Sequence, residues 1–189
     1  LIINSKEDYD ENEIYDFKPD LILYYGWSWL VSEKIINTYK CVMLHPAPLP
    51  RYRGGSPLQN QIISGEKKSA VTLFIMTQKL DDGNIIGQAP LSLSGYIPDI
   101  FKRIEKIGLK LTLNYLKGDY KEIKQESSKA TIFKRRKSSA SEISLDEIMN
   151  KDGLYLYNKI RMLTGPYPNA FIRTKDNKRL IIKLVELVD

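Results

Sequence analysis

The 189-residue chain contains one histidine, His45. It stands where an apolar run gives way to a proline-rich segment, Cys41-Val42-Met43-Leu44-His45-Pro46-Ala47-Pro48-Leu49-Pro50-Arg51-Tyr52-Arg53-Gly54-Gly55. Imidazole has an ordinary pKa near neutrality, so proton transfer at neutral pH has one obvious candidate here. The prolines fix φ and exclude helix and central strand, so a stiff loop follows the histidine at a strand end. Open α/β sheets place ligands at such strand ends. A second segment that could do chemistry is Gln78-Lys79-Leu80-Asp81-Asp82-Gly83-Asn84-Ile85-Ile86, a tight acidic turn between two apolar runs. If neighbouring parallel strands carry the two segments, a carboxylate comes close to His45. It then favours the imidazolium and orients the ring, the geometry of a general base with an orienting partner.

The elements that must position these groups follow from pattern. Leu1 to Asn4 and the continuous apolar run Leu21 to Tyr25 read as strands, the second buried on both faces. A short helix is expected around Asp10 to Phe17, and another, capped by Ser28 or Ser32, running to about Tyr39. Cys41 to Leu44 is a short buried strand. Ser56-Pro57 starts a helix that runs to Gly65, with proline in the first turn. Ala70 to Met76 and Ile85 to Leu93 read as strands. In Ile97 to Leu116 the residues Ile97, Ile100, Phe101, Ile104, Ile107, Leu111 and Tyr115 form one apolar helical stripe, the mark of a core helix. Alternating strands and helices predict an α/β fold with a mostly parallel sheet. Residues 1–126 are expected to form this domain and residues 127–144, polar and basic, a linker. Residues 145–189 are expected to form a small C-terminal α+β appendage: a helix from about Leu145 to Leu163 broken near Gly153, then a hairpin turning at Asp176-Asn177. The chain opens directly on its first expected strand, which predicts that an N-terminal βα region belongs ahead of it.

Composition sets the class. Hydrophobic residues at 42% and charged residues at 28% suit an ordinary globular protein. The longest apolar run, Leu21 to Leu30, is far short of the roughly 20 residues a membrane helix needs. No signal peptide is visible at Leu1-Ile2-Ile3-Asn4, and one cysteine, Cys41, points to a reducing, cytoplasmic setting without a disulfide framework. One cysteine and one histidine offer no zinc site. A net charge of +6 favours anionic partners, although the single basic run, Lys134-Arg135-Arg136-Lys137, reads as a solvated connector.

The order and spacing of three segments resemble the folate-dependent formyltransferases. His45 with Leu49-Pro50-Arg51-Tyr52-Arg53-Gly54 and the following Pro57-Leu58-Gln59 is similar to that family's His…Leu-Pro-Arg-Tyr-Arg-Gly pattern. Leu80-Asp81-Asp82-Gly83-Asn84-Ile85-Ile86 is similar to its Leu-Asp-Thr-Gly-Asp/Asn-Ile motif, and Ile160 to Phe171, with Pro166-Tyr167-Pro168-Asn169-Ala170, to the segment that opens its second part. The resemblance spans roughly residues 19–171. It implies a Rossmann-like formyltransferase fold and transfer of a formyl group from N10-formyltetrahydrofolate to an amine. It assigns catalysis to His45 and Asp81. The folate would lie against Ala47, Pro48, Leu49, Pro50 and Leu80, with Trp27, Ser28, Trp29 and Leu30 walling the pterin pocket. Arg51, Tyr52 and Arg53 would meet the second substrate, the arginines pairing with phosphates, with a structural role for one of the two arginines equally open.

One position departs from the family. Its asparagine lies two residues before the histidine, where this chain has Met43. Residues two apart on a strand share a face, and a thioether donates no hydrogen bond. Loss of one oxyanion donor typically costs about 2.7–4 kcal/mol of transition-state stabilisation. Another donor, an imidazolium at His45, or a slower enzyme would each accommodate Met43, and so would a non-catalytic folate or nucleotide binder. Two acceptors suit the family: the amino group of a nucleotide-linked 4-amino-deoxysugar, and the methionine of charged initiator tRNA. The 18 residues after Phe171 suffice for a hairpin and not a barrel, which favours the sugar as small-molecule substrate over tRNA. A homodimer is allowed.

Overall fold

The computed structural model describes residues 1–188. Residues 1–4, expected as a strand, are irregular: among the described residues no neighbouring strand exchanges ladder hydrogen bonds with them. Helix α1 (Glu11–Phe17) begins at Asp10, whose carboxylate accepts from the Asn12 N–H at 2.8 Å. Strand β1 (Leu21–Tyr25) and helix α2 (Glu33–Thr38) follow. Ser32 is the cap that α2 uses, accepting from the Ile35 N–H. Then come β2 (Lys40–His45), the two-residue β3 (Arg53–Gly54), α3 (Pro57–Ile63), β4 (Lys68–Ile75), β5 (Ile85–Ser92) and the long α4 (Ile97–Leu116). The chain ends with β6 (Ile132–Phe133), α5 (Leu145–Asn150), α6 (Gly153–Arg161) and the hairpin β7 (Ala170–Arg173) and β8 (Arg179–Ile182).

The main sheet has the order β1-β2-β4-β5. It is mixed: β1 and β2 run parallel, whereas β2–β4 and β4–β5 are antiparallel. The expected parallel majority fails from β4 onward. There α3 returns the chain to the sheet from the His45 end, and the turn after β4 is too short for a crossover. The two faces differ in chemistry. Val42, Leu73, Ile86 and Tyr115 form a buried cluster beneath α4, where Gly108 and Gly87 allow Leu44 and Leu111 to pack closely. The opposite face carries His45, Thr72 and Gln88 in one row, His45 opposite Thr72 and Thr72 opposite Gln88. One strand face is therefore apolar core and the other holds the polar groups of the site.

The C-terminal elements join this core. Ile143, Ile160, Met162, Leu163 and Ala170 share one buried cluster with Leu58, Ile62, Val71, Leu91, Ile97 and Ile100. The polar stretch 127–144, expected as a linker, lies across the site loop: β6 pairs in parallel with β3, Ile132 opposite Arg53 and Phe133 opposite Gly54. Among the described residues no helix is long and apolar enough to cross a membrane.

Candidate active site

His45 is the last residue of β2 and is 5% exposed. Its ring sits edge-on to Phe74, and its Nε2 lies 2.8 Å from the Tyr52 carbonyl oxygen. A carbonyl only accepts, so Nε2 carries the proton and, in the neutral ring, Nδ1 holds the lone pair. That Nδ1 faces Asp81 Oδ2 at 3.9 Å, too long for a direct hydrogen bond. A base with its lone pair aimed into a narrow gap, and a carboxylate across the gap, is set to take a proton and to hold the resulting imidazolium.

The route by which Asp81 arrives differs from the expected one. In the antiparallel β2–β4 pair, Val42 is opposite Ile75, so the chain leaves β4 at the far end from His45. It then doubles back across the sheet face to bring Asp81 to the histidine. Gly83 makes this path possible, because a Cβ there would lie 1.6 Å from the Ile75 carbonyl oxygen. Arg53 and Gln125 clamp the turn. The Gln125 amide donates to the carbonyls of Asp81 (2.9 Å) and Gly83 (2.7 Å), and its oxygen accepts twice from Arg53. Arg53 also pairs with Asp82 at 2.5 Å. Asp81 Oδ2 accepts from the Gly54 N–H at 2.7 Å, which ties the turn to the loop after His45.

That loop is braced from beneath. The Pro46, Ala47 and Leu49 carbonyls accept from Gln61 (2.9 Å), Thr72 (2.6 Å) and Gln88 (3.1 Å). Gln61 and Thr72 are buried donors and Gln88 an exposed one. Among the described residues the bonds to Pro46 and Leu49 satisfy carbonyls that have no backbone partner, while the Ala47 carbonyl also accepts from the Leu49 N–H. Sequence reading passed over Gln61, Thr72, Gln88 and Gln125. For Gln61, Thr72 and Gln88 the signal is a polar residue within a helix or strand, which gives no partner until the loop is placed. Gln125, in an irregular polar stretch, carries no such signal.

The remaining expected residues divide. Ala47 and Leu49 turn into the core, so only the half-buried Pro48 and Pro50 present side chains on the loop's outer side. Leu80 is half exposed and packs beside Gly54. Arg53 fits the structural role left open for one of the two arginines, because Gln125 and Asp82 already occupy its guanidinium. Arg51 pairs with Glu66 at 2.6 Å at the surface. Tyr52 donates its hydroxyl to the same carboxylate, and burial followed by that bond hold its pKa above the usual phenol range. Trp27 packs tilted against Tyr9 and Tyr24 and edge-on to Trp29, while Trp29 is 40% and Leu30 92% exposed. Arg135 connects this loop to the site: its Nη1 donates to the Ser28 carbonyl, and its backbone lies so close to Gly55 that a Cβ there would fall 2.4 Å from the Arg135 Cα. Ser56 starts α3 without capping it. Its hydroxyl accepts from the Arg136 N–H instead. The run Lys134–Lys137 thus borders the site, and among the described residues none of its four side chains pairs with a carboxylate. Met43, on the His45 face of β2, packs against the cluster of Leu49, Phe74 and Ile85.

Comparison with known proteins fits this geometry. Residues 4–94 match the family described as "Formyl transferase". The chain is similar to the solved structure of methionyl-tRNA formyltransferase from Clostridium thermocellum, 34% identical, covering 98% of this chain and 80% of that one, with a TM-score of 0.89. A 4-N formyltransferase from Francisella tularensis shares the fold at 22% identity and a TM-score of 0.77, covering 95% of this chain and 78% of that one. Methionyl-tRNA formyltransferase of Halalkalibacterium halodurans is 28% identical over 174 residues, 88% of this chain and 53% of the relative. The chain spans about half the length of the curated relatives it matches. The motifs around His45 and Asp81, the matched family pattern and the likeness to a formyltransferase along four-fifths of its length agree, and the chain belongs to the folate-dependent formyltransferase family.

Proposed function

We propose that this protein transfers the formyl group of N10-formyltetrahydrofolate to a primary amine on a phosphate-bearing acceptor. The observation that carries the reading is the lone pair of His45 Nδ1 facing Asp81 across a 3.9 Å gap at a strand end. The neutral amine attacks the formyl carbon, and a C–N bond forms as the carbonyl electrons move to oxygen. His45 Nδ1 takes a proton from the attacking nitrogen, and Asp81 holds the imidazolium. The carbonyl then re-forms, the bond to N10 breaks, and the proton passes to N10, which leaves tetrahydrofolate and the N-formyl product. The prolines beside His45 supply a rigid wall that limits how the reacting atoms approach. A solved relative of the same fold, HypX from Aquifex aeolicus at 19% identity, is described in complex with tetrahydrofolic acid.

The acceptor is narrowed by likeness and charge. The 34% identity to a methionyl-tRNA formyltransferase along nearly the whole chain favours the methionyl group of charged tRNA. The basic run beside the site, which pairs with no carboxylate among the described residues, suits a polyanion. The nucleotide-linked 4-amino-deoxysugar is the second reading, supported by 4-N and sugar N-formyltransferases of the same fold. A reducing cytoplasmic setting suits both, and the buried Cys41 thiol, pushed up to about 11 by burial, is inert there. The test is formyl transfer from formyltetrahydrofolate to charged initiator tRNA and to a panel of nucleotide-linked amino sugars, with His45→Asn as control. Turnover of tRNA alone supports the first reading, and turnover of a sugar alone replaces it with the second. Folate binding without turnover of any acceptor rejects the transferase reading.

A further inference from the structure

We propose that Thr131 is a positioning residue for His45, setting which imidazole nitrogen carries the proton. Thr131 lies outside the span matched to the family pattern, in the stretch whose composition suggested a plain linker. Three hydrogen bonds from this one residue straddle Tyr52. Its Oγ1 accepts from the Tyr52 N–H at 2.8 Å, its carbonyl accepts from the Arg53 N–H at 2.8 Å, and its N–H donates to the Pro50 carbonyl at 3.3 Å. The Tyr52–Arg53 peptide is planar, so its C=O and N–H point in opposite directions. Fixing the Arg53 N–H on Thr131 therefore aims the Tyr52 carbonyl the other way, onto His45 Nε2 at 2.8 Å.

Tyr52 holds φ +61°, a conformation that residues with side chains adopt rarely and only when their surroundings impose it. The Thr131 hydroxyl and the stacking of the Tyr52 ring on Phe133, centroids 5.0 Å apart, are what impose it. The Thr131 carbonyl aims the Tyr52–Arg53 peptide, and Thr131 Oγ1 holds Tyr52 at the φ that this aim requires. Together they put the proton on Nε2 and leave a free lone pair on Nδ1 facing Asp81. In the transferase reading, on which the kinetic part of the test rests, that lone pair is the base.

Because the chain has a single histidine, nitrogen-15 spectra of the full chain, free of added histidines, report this ring without assignment. The neutral ring of the unaltered protein is expected as the Nε2–H form. Thr131→Val keeps the shape and removes the acceptor. It is expected to give mixed tautomers and a kcat lowered about tenfold or more, with KM values within about twofold. Thr131→Ser keeps the acceptor and is expected to retain both the spectrum and the rate. A Nδ1–H ring in the unaltered protein overturns the proposal. So does Thr131→Val with an unchanged spectrum, whether or not its rate falls. Should the unaltered protein transfer no formyl group, the functional reading fails while the tautomer still decides this one.

Discussion

At the scale of the residue, the site depends on a carboxylate that is close to an imidazole without touching it. Asp81 spends one oxygen on the Gly54 N–H and offers its charge to His45 across the gap. Asp81→Asn keeps an acceptor for Gly54 and removes the charge, so it separates folding from chemistry. Its expected result is a protein of nearly unchanged thermal midpoint whose kcat falls by about a hundredfold, read in the formyl-transfer assay. Met43 sets the opposite test. It shares the His45 face of β2 but offers no donor, and Met43→Asn places an amide N–H there. We expect kcat to rise about tenfold or more, the direction set by restoring an oxyanion donor. An unchanged rate would show that another group already fills that role.

At the scale of the element, the acidic turn is held by parts drawn from distant stretches of chain. Arg53 comes from the loop after His45 and Gln125 from the stretch after α4, and they meet over residues 81–83. The guanidinium of Arg53 is almost fully enclosed, and Asp82 is mostly so. Arg53→Met strands the Asp82 charge and frees both Gln125 bonds, a loss of about 3–5 kcal/mol expected in denaturant unfolding. A phosphate-binding arginine would behave differently: its removal would raise the KM of the acceptor and leave stability alone.

At the scale of the whole molecule, charge and pH give two further expectations. The net charge of +6 includes the basic run that the fold carries to the site's edge. The KM of a phosphate-bearing acceptor should therefore rise steeply between low and physiological salt, and Lys134→Ala with Arg135→Ala should flatten that dependence, measured by initial rates over a salt series. In the C-terminal part, Lys159 is buried against Glu147, its Nζ 2.6 Å from Oε1. Burial pushes the Glu147 carboxyl up, but hydrogen bonds from Lys159, the Ser144 N–H and Tyr155 outweigh it and hold the pKa below the usual carboxylate value. A pKa lowered by folding contributes stability above the unfolded value, and that stability is lost as the pH falls through the folded one. The thermal midpoint should drop on acidification below about pH 4, and Glu147→Gln should make that drop shallower.

The sequence by itself determined the local features. Proline and glycine placed α3, an apolar stripe placed α4, and apolar runs placed β1, β2, β4 and β5, because these depend on near neighbours along the chain. His45 and Asp81 were legible as well, since a lone imidazole and an acidic turn announce their chemistry by type. Only the tertiary structure decided how they meet. Strand direction is a long-range property, so the antiparallel β2–β4 pair and the doubling back of the turn were not in the local pattern. Nor was the fate of Arg53, Ala47 and Leu49, whose inward side depends on what packs above them. The stretch 127–144 is the clearest case. Its polar composition reads as solvated chain, yet its backbone hydrogen bonds, which composition does not encode, pair it with β3 and press it onto the loop behind His45.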